Sequence, residues 1–70
     1  MVISGELLQK LRLLKGIKQE TIAKKLGISQ PRYCQLEKKA RIQGDLLANL
    51  IKALNYTTEE AEELEKKLYR

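Results

Sequence analysis

Apolar side chains recur along this chain at the three- and four-residue spacing of amphipathic helices, and no segment alternates apolar and polar residues as a half-buried strand would. The pattern predicts an all-α protein of five short helices, at about residues 5–15, 19–26, 30–38, 45–54 and 58–69. In the first helix the leucines that follow helical spacing are Leu7, Leu8, Leu11 and Leu14. In the fourth helix the residues expected to face inward are Leu46, Leu47, Leu50, Ile51 and Leu54.

Residues that favour helix ends stand at the predicted boundaries. Ser29 can cap the third helix, and Thr57 with Glu60 fits a capping box before the fifth. Gly27 permits the left-handed backbone that ends one helix and turns the chain sharply into the next. Pro31 falls in the first turn of the third helix, where its missing N–H is not needed. The second and third helices are therefore predicted to form a helix-turn-helix.

Length and composition favour one small domain, residues 1–70, with an aliphatic core. The only aromatic residues are three tyrosines, and the single cysteine, Cys34, excludes an internal disulfide and fits a reducing compartment. No apolar run approaches the ~20 residues of a membrane span, and the N-terminus does not read as a signal peptide. We therefore expect a cytoplasmic protein with no membrane segment.

The charge is unevenly distributed. Residues 1–41 hold ten basic and three acidic side chains, a net charge of +7, whereas residues 42–70 carry a net charge of −2. This asymmetry suggests a basic end that meets a polyanion, although an ordinary solvated surface explains it equally well.

Residues 19–37, "QETIAKKLGISQPRYCQLE", resemble the helix-turn-helix of the phage repressor and Cro family, the XRE-like DNA-binding regulators. Gln19 opens the first motif helix, Gly27 forms the turn and Glu37 closes the motif. The inward positions are Ile22, Ala23, Leu26, Ile28, Tyr33 and Leu36. The resemblance extends over residues 7–56 and implies a compact five-helix, lambda-repressor-like domain. It also implies a nucleoid-associated, sequence-specific regulator, most simply a repressor, that binds double-stranded DNA as a homodimer.

In this family the second motif helix lies in the major groove, with its N-terminal residues against base edges. The resemblance thus implies base contacts from Gln30, Pro31, Arg32 and Gln35. Glutamine can pair with adenine and arginine with guanine, whereas Pro31 offers only apolar contact, for instance with a thymine methyl. Arg32 could equally hold a phosphate.

Phosphate contacts are expected from residues that flank this helix, namely Gln19, Ser29, Tyr33, Lys38, Lys39 and Arg41. Tyr33 is larger than the usual Ile or Val of the family, so we expect its hydroxyl to reach solvent or a phosphate. The pair Lys38–Lys39 and the stretch "KKARIQGD", which lacks a frequent family proline, depart from the pattern and leave this loop's conformation open. The resemblance also implies a partly buried Arg12–Glu37 ion pair that fixes the third helix relative to the first.

Catalysis is not expected, because the chain has no histidine, no nucleophile–base pair and no phosphate-binding glycine loop. We also expect no metal, no cofactor and no small-molecule ligand. Two alternatives to a regulator stay open: an antitoxin or adaptor that binds protein, and a protein that coats nucleic acid without preference. The stripe Ala61, Leu64 and Leu68 of the fifth helix suits either the core or a dimer interface, and Cys34 is either an incidental side chain or a redox-sensitive thiol.

Overall fold

A computed structural model describes residues 1–68 of the chain, and within them it shows five helices and two short strands. In chain order the elements are β1 (Val2–Ile3), α1 (Gly5–Leu14), α2 (Gln19–Leu26), α3 (Gln30–Leu36), β2 (Ile42–Gln43), α4 (Gly44–Ala53) and α5 (Thr58–Leu68). The prediction of a mostly helical, five-helix fold is confirmed. The predicted end of the fifth helix at residue 69, and Tyr69 itself, lie outside the described residues.

The observed helix ends lie within two residues of the predicted ones, and α2 matches at both ends. The largest difference is in α3, which ends at Leu36 rather than at residue 38, with Glu37 as its C-cap. Ser4 and Ser29 cap α1 and α3 by accepting backbone N–H bonds at 3.1 and 3.3 Å. Thr57 and Glu60 form the predicted capping box, each side chain accepting the other's backbone N–H.

A two-stranded antiparallel sheet is the element that the pattern did not predict. Val2 lies opposite Gln43, and Ile3 lies opposite Ile42. Strands of two residues are too short to show alternation, and their pairing joins segments about forty residues apart, so no local signal reveals them. Ile3 and Ile42 are both buried and extend the hydrophobic core beneath the sheet.

The core is aliphatic, as expected, with two tyrosines added. Its most deeply buried large side chains are Leu7, Leu8, Leu11, Ile22, Tyr33, Ile42, Leu50 and Leu54. Tyr56 joins this core and its hydroxyl donates a 2.7 Å hydrogen bond to the Leu11 carbonyl. On α5, Ala61 is fully buried and Leu64 packs against the core, so this part of the predicted stripe serves the interior.

Two leucines of the apolar pattern are not buried: Leu14, which follows the helical spacing of α1, and Leu46, which was predicted to face inward. Leu14 is 60% exposed and Leu46 is 38% exposed. Leu14 sits in the last turn of α1, where it lines a surface hollow with Leu13 and Leu68 instead of the core. Leu46 precedes the buried Leu47 by one residue, which corresponds to a rotation of about 100° around the helix. Its side chain therefore points away from the buried side of α4. None of the described helices is long and apolar enough to cross a membrane.

Candidate nucleic-acid interface

The pair α2–α3 is held in a fixed orientation by the turn between the helices. Gly27 has φ 71° and ψ 29°, the left-handed conformation that its position was expected to need. The Ile28 N–H bonds back to the Ala23 carbonyl at 3.0 Å, which ties the turn to the last part of α2. Ile22, Ala23 and Tyr33 are buried between the two helices and the core. One side of α3 is thus anchored and its opposite side faces outward.

All four predicted base-contact residues are exposed on the outward side of α3 or at its start, namely Gln30, Pro31, Arg32 and Gln35. Because a helix rises 1.5 Å per residue, Gln30 and Gln35 are about 7.5 Å apart along the axis, roughly two base-pair steps. Their side chains can therefore address base pairs that are about two steps apart. Cys34 on the same helix is a half-buried free thiol.

Several of these side chains line one open cleft of about 500 Å³. The cleft is lined by Ser29, Pro31, Arg32, Gln35, Leu36 and Lys39. It joins three predicted base contacts to two predicted phosphate contacts on one continuous surface. Gln30 does not line the cleft and lies exposed at the first position of α3.

Positive charge extends this surface beyond α3. Lys38, Lys39 and Arg41 follow the helix directly, and all three are exposed. They occupy the segment 38–41, which connects α3 to β2 and is called the basic loop below. No acidic side chain interrupts it, so its field is uniformly attractive to a phosphate backbone.

Beneath the outward surface lies a buried polar cluster built on Glu37. Arg12 of α1 donates from Nε to Glu37 Oε2 at 2.6 Å and from Nη2 to Oε1 at 3.3 Å. The two side chains are only 8% and 4% exposed. Arg12 also donates to the Ile17 carbonyl at 2.8 Å, so one guanidinium links α1, the α1–α2 connection and the end of α3. The ion pair that the resemblance implied is present, and it joins three segments rather than two.

Gln19 adds a third donor to this cluster. Its Nε2 donates to Glu37 Oε1 at 2.9 Å, and its side chain is half-buried. One amide N–H of Gln19 is thus engaged internally, which leaves the second N–H to donate to a phosphate oxygen. That phosphate contact stays a prediction. No spacing rule connects residues 19 and 37, so the sequence offered no signal for this bond.

The electrostatics keep the cluster ionised. Burial alone would raise the pKa of the Glu37 carboxyl, but hydrogen bonds from Arg12 and Gln19 outweigh burial and lower that pKa below its ordinary value. The hydrogen bond with Glu37 raises the pKa of Arg12, which therefore remains a cation. The charged pair consequently persists at neutral pH.

The expectation for Tyr33 is wrong. Its side chain is 0% exposed, and among the described residues its hydroxyl has no hydrogen-bond partner. Burial, with the nearby Glu37 carboxylate, raises the pKa of this hydroxyl well above its ordinary value. The ring projects from the inner side of α3 into the core. A phosphate contact from Tyr33 is therefore not available in this structure.

The geometry defines a helix-turn-helix DNA-binding domain, with one anchored side and one polar, basic side. Residues 8–60 match the helix-turn-helix family of Cro/C1, XRE-like type. The match covers most of the chain, so the protein belongs to this family of DNA-binding transcriptional regulators. No curated protein and no solved structure matches the chain.

Proposed function

We propose that this protein is a sequence-specific repressor that binds an operator in double-stranded DNA as a homodimer, with α3 in the major groove. The observation that carries the proposal is the outward side of α3, where amide and guanidinium groups adjoin the basic loop on one surface. An adaptor that binds only protein has no need for this arrangement. Repression is the effect that occupancy of a promoter produces by itself.

Sequence would be read by three polar side chains and one apolar ring. Gln30 and Gln35 each present an amide that matches the N6 and N7 edge of adenine. Arg32 is placed for a guanine or for the phosphate beside it, and Pro31 for a thymine methyl. Affinity without sequence preference would come from Gln19, Ser29, Lys38, Lys39 and Arg41 at phosphates.

A second copy of the chain is part of the proposal. One α3 spans only a few base pairs, and two-fold dimers of such domains address half-sites about 34 Å apart. A candidate contact surface exists at the hollow lined by Leu13, Leu14 and Leu68, which are 59%, 60% and 40% exposed. Burying these leucines against a symmetry-related copy would remove from water Leu13 and Leu14, the two most exposed large apolar side chains among the described residues, together with Leu68.

The test is selection of the purified protein against a random DNA library at about 150 mM salt, where the phosphate term alone gives weak binding. We expect enrichment of a two-fold symmetric site. In Gln35→Ala, preference should relax at one base position in each half-site, whereas Glu63→Gln, an exposed change on α5, should leave the site unchanged.

The other outcomes separate the alternatives. Binding without enrichment would replace the proposal with nucleic-acid coating. Retention of no DNA would refute it and direct the search to a protein partner. Enrichment of an asymmetric single site would support sequence-specific binding but would contradict binding as a dimer.

A further inference from the structure

Residues 1–5, here called the N-terminal strap, lie beside the segment of chain that connects α3 to α4. The backbone of the strap meets this segment at two places, where Gly5 bonds to the basic loop and β1 pairs with β2. The Ile3 side chain is buried in the core, and Met1 lies beside α4.

Gly5 makes the closest of these contacts. Its N–H donates a 2.7 Å hydrogen bond to the carbonyl of Lys39, in the middle of the basic loop. Its Cα lies so near the end of α3 that an added Cβ would stand 2.5 Å from the Glu37 carbonyl carbon and 2.6 Å from the Leu36 oxygen. Such distances are far inside van der Waals contact, so only glycine allows the strap to approach this closely.

The strand pairing holds the far end of the basic loop. Ile3 lies opposite Ile42 and Val2 opposite Gln43, directly after Arg41. The Ile3 and Ile42 side chains are buried, which adds apolar contact to the backbone pairing. At its near end the loop is held by the last turn of α3, where the Lys39 N–H bonds to the Leu36 carbonyl at 3.2 Å.

The basic loop is thus held at its start, its middle and its end, while its three cationic side chains remain exposed. Lys38, Lys39 and Arg41 make no hydrogen bond or ion pair through their side chains among the described residues. The fold orders the backbone of the loop and leaves its charges available. The backbone of the loop is thus fixed by its contacts with the N-terminal strap, and its cationic side chains extend from this ordered backbone.

We propose that the N-terminal strap positions the basic loop for contact with DNA phosphates, so that residues 1–5 set DNA affinity without touching the DNA. The inference rests on the proposed function, because it needs the basic loop to meet the phosphate backbone. Ordering the loop during folding removes the entropy loss that a free loop would suffer on binding, and this preorganisation strengthens the complex. The base-reading residues of α3 are also anchored through the turn and the core, so a change at the strap should alter affinity more than sequence preference.

The first variant is Val2→Pro, matched by Val2→Ala. Val2 is partly exposed, so both changes remove a similar side chain, but only proline removes the backbone N–H and fixes φ at about −65°, away from the extended backbone of the Val2–Gln43 pairing. We expect Val2→Pro to bind the selected operator about 3- to 10-fold more weakly. The slope of the logarithm of affinity against the logarithm of salt concentration should also become shallower, by the amount expected for the loss of about one phosphate contact or more. Val2→Ala should bind as the wild type does. The selected operator sequence should be the same for all three proteins.

A second variant, Gly5→Ala, pushes the strap away from the end of α3 and should weaken binding in the same way. If Gly5→Ala does not fold, as circular dichroism will show, Val2→Pro decides the question alone. Each measurement is made well below the melting temperature of the variant, so that loss of folded protein does not enter the affinity.

A double-mutant cycle separates positioning from general destabilisation. In a background that carries Lys38→Ala, Lys39→Ala and Arg41→Ala, Val2→Pro should cause no further loss of affinity, because the charges that the strap positions are gone. An equal loss in both backgrounds would overturn the proposal, and so would unchanged operator binding by Val2→Pro. If the wild-type protein retains no DNA, the proposed function fails and the inference fails with it. If the wild type binds the operator normally but the cycle shows no coupling, the inference about the strap is overturned and the proposed function stands.

Discussion

The buried cluster on Glu37 supports a quantitative prediction for the isosteric change Glu37→Gln. In the wild type, Glu37 Oε2 accepts from Arg12 Nε, while Oε1 accepts from both Arg12 Nη2 and Gln19 Nε2. Every partner of the carboxylate is thus a donor. A glutamine must place its NH₂ group against at least one of them, and it leaves the Arg12 guanidinium buried without a counter-charge.

The magnitude follows from the burial of the pair. Removing one partner of a buried ion pair costs about 3–5 kcal/mol. Glutamine keeps one accepting oxygen and Arg12 keeps its bond to the Ile17 carbonyl, so we take the lower end, about 3 kcal/mol. A domain of this length has a free energy of unfolding of about 3.5–10 kcal/mol. At about 4–8 °C per kcal/mol, the melting temperature should fall by about 12–24 °C.

Thermal unfolding followed by circular dichroism at neutral pH measures this shift. Glu63→Gln, which removes an exposed carboxylate from α5, should change the free energy of unfolding by less than about 0.5 kcal/mol. If Glu37→Gln moved the melting temperature no further than Glu63→Gln, the cluster would not stabilise the fold, and the reasoning from burial would be refuted.

The pH dependence gives the same prediction a second readout. Burial acts to raise the pKa of Glu37, but its hydrogen bonds lower it overall below the ordinary value of 4.5. The unfolded chain therefore takes up the proton first as the pH falls. The stabilisation by Glu37 is full above about pH 4.5 and is lost as the pH falls through the folded pKa. In urea unfolding, the wild type and Glu37→Gln should therefore converge in stability at acid pH, whereas a constant difference would contradict the assignment.

Two further predictions concern the tyrosines and the dimer. Tyr56→Phe removes the hydroxyl that satisfies the Leu11 carbonyl and should lower the free energy of unfolding by about 1–3 kcal/mol. Tyr33→Phe removes a buried hydroxyl that lies near the Glu37 carboxylate without the geometry of a hydrogen bond, so it should lower the free energy of unfolding by less. Urea unfolding that ranked the two variants in the opposite order would contradict both assignments. Leu14→Glu places a charge in the leucine-lined hollow and should shift the protein from dimer to monomer in sedimentation on and off operator DNA, whereas the control Leu46→Glu should not. Equal dimerisation of these two variants would exclude the hollow as the contact surface.

Much of the fold could be predicted because it depends on local signals. The apolar spacing of α1 and α4, the caps at Ser29 and Thr57, and the glycine at the turn all act within a few residues. The resemblance also implied that Gln30, Arg32 and Gln35 present their side chains outward from α3, and all three are exposed. Their contacts with DNA, like those of the basic loop, stay predictions.

The features that the sequence did not reveal all depend on which segments meet in three dimensions. The pairing of β1 with β2, the approach of Gly5 to the end of α3 and the bond from Gln19 to Glu37 each join residues far apart in the chain. Tyr33 turned inward because neighbouring helices enclose its position. Leu14, although it follows the apolar spacing of α1, is exposed, whereas Leu11 in the same turn is buried.

The sequence by itself therefore determined the helices, the sharp turn and the polar side of α3, since each arises from interactions along one stretch of chain. Only the tertiary structure decided how the N-terminal strap holds the basic loop and which side chains complete the Glu37 cluster. These depend on close packing between distant segments, where a difference of one methyl group, as at Gly5, decides whether the contact can form.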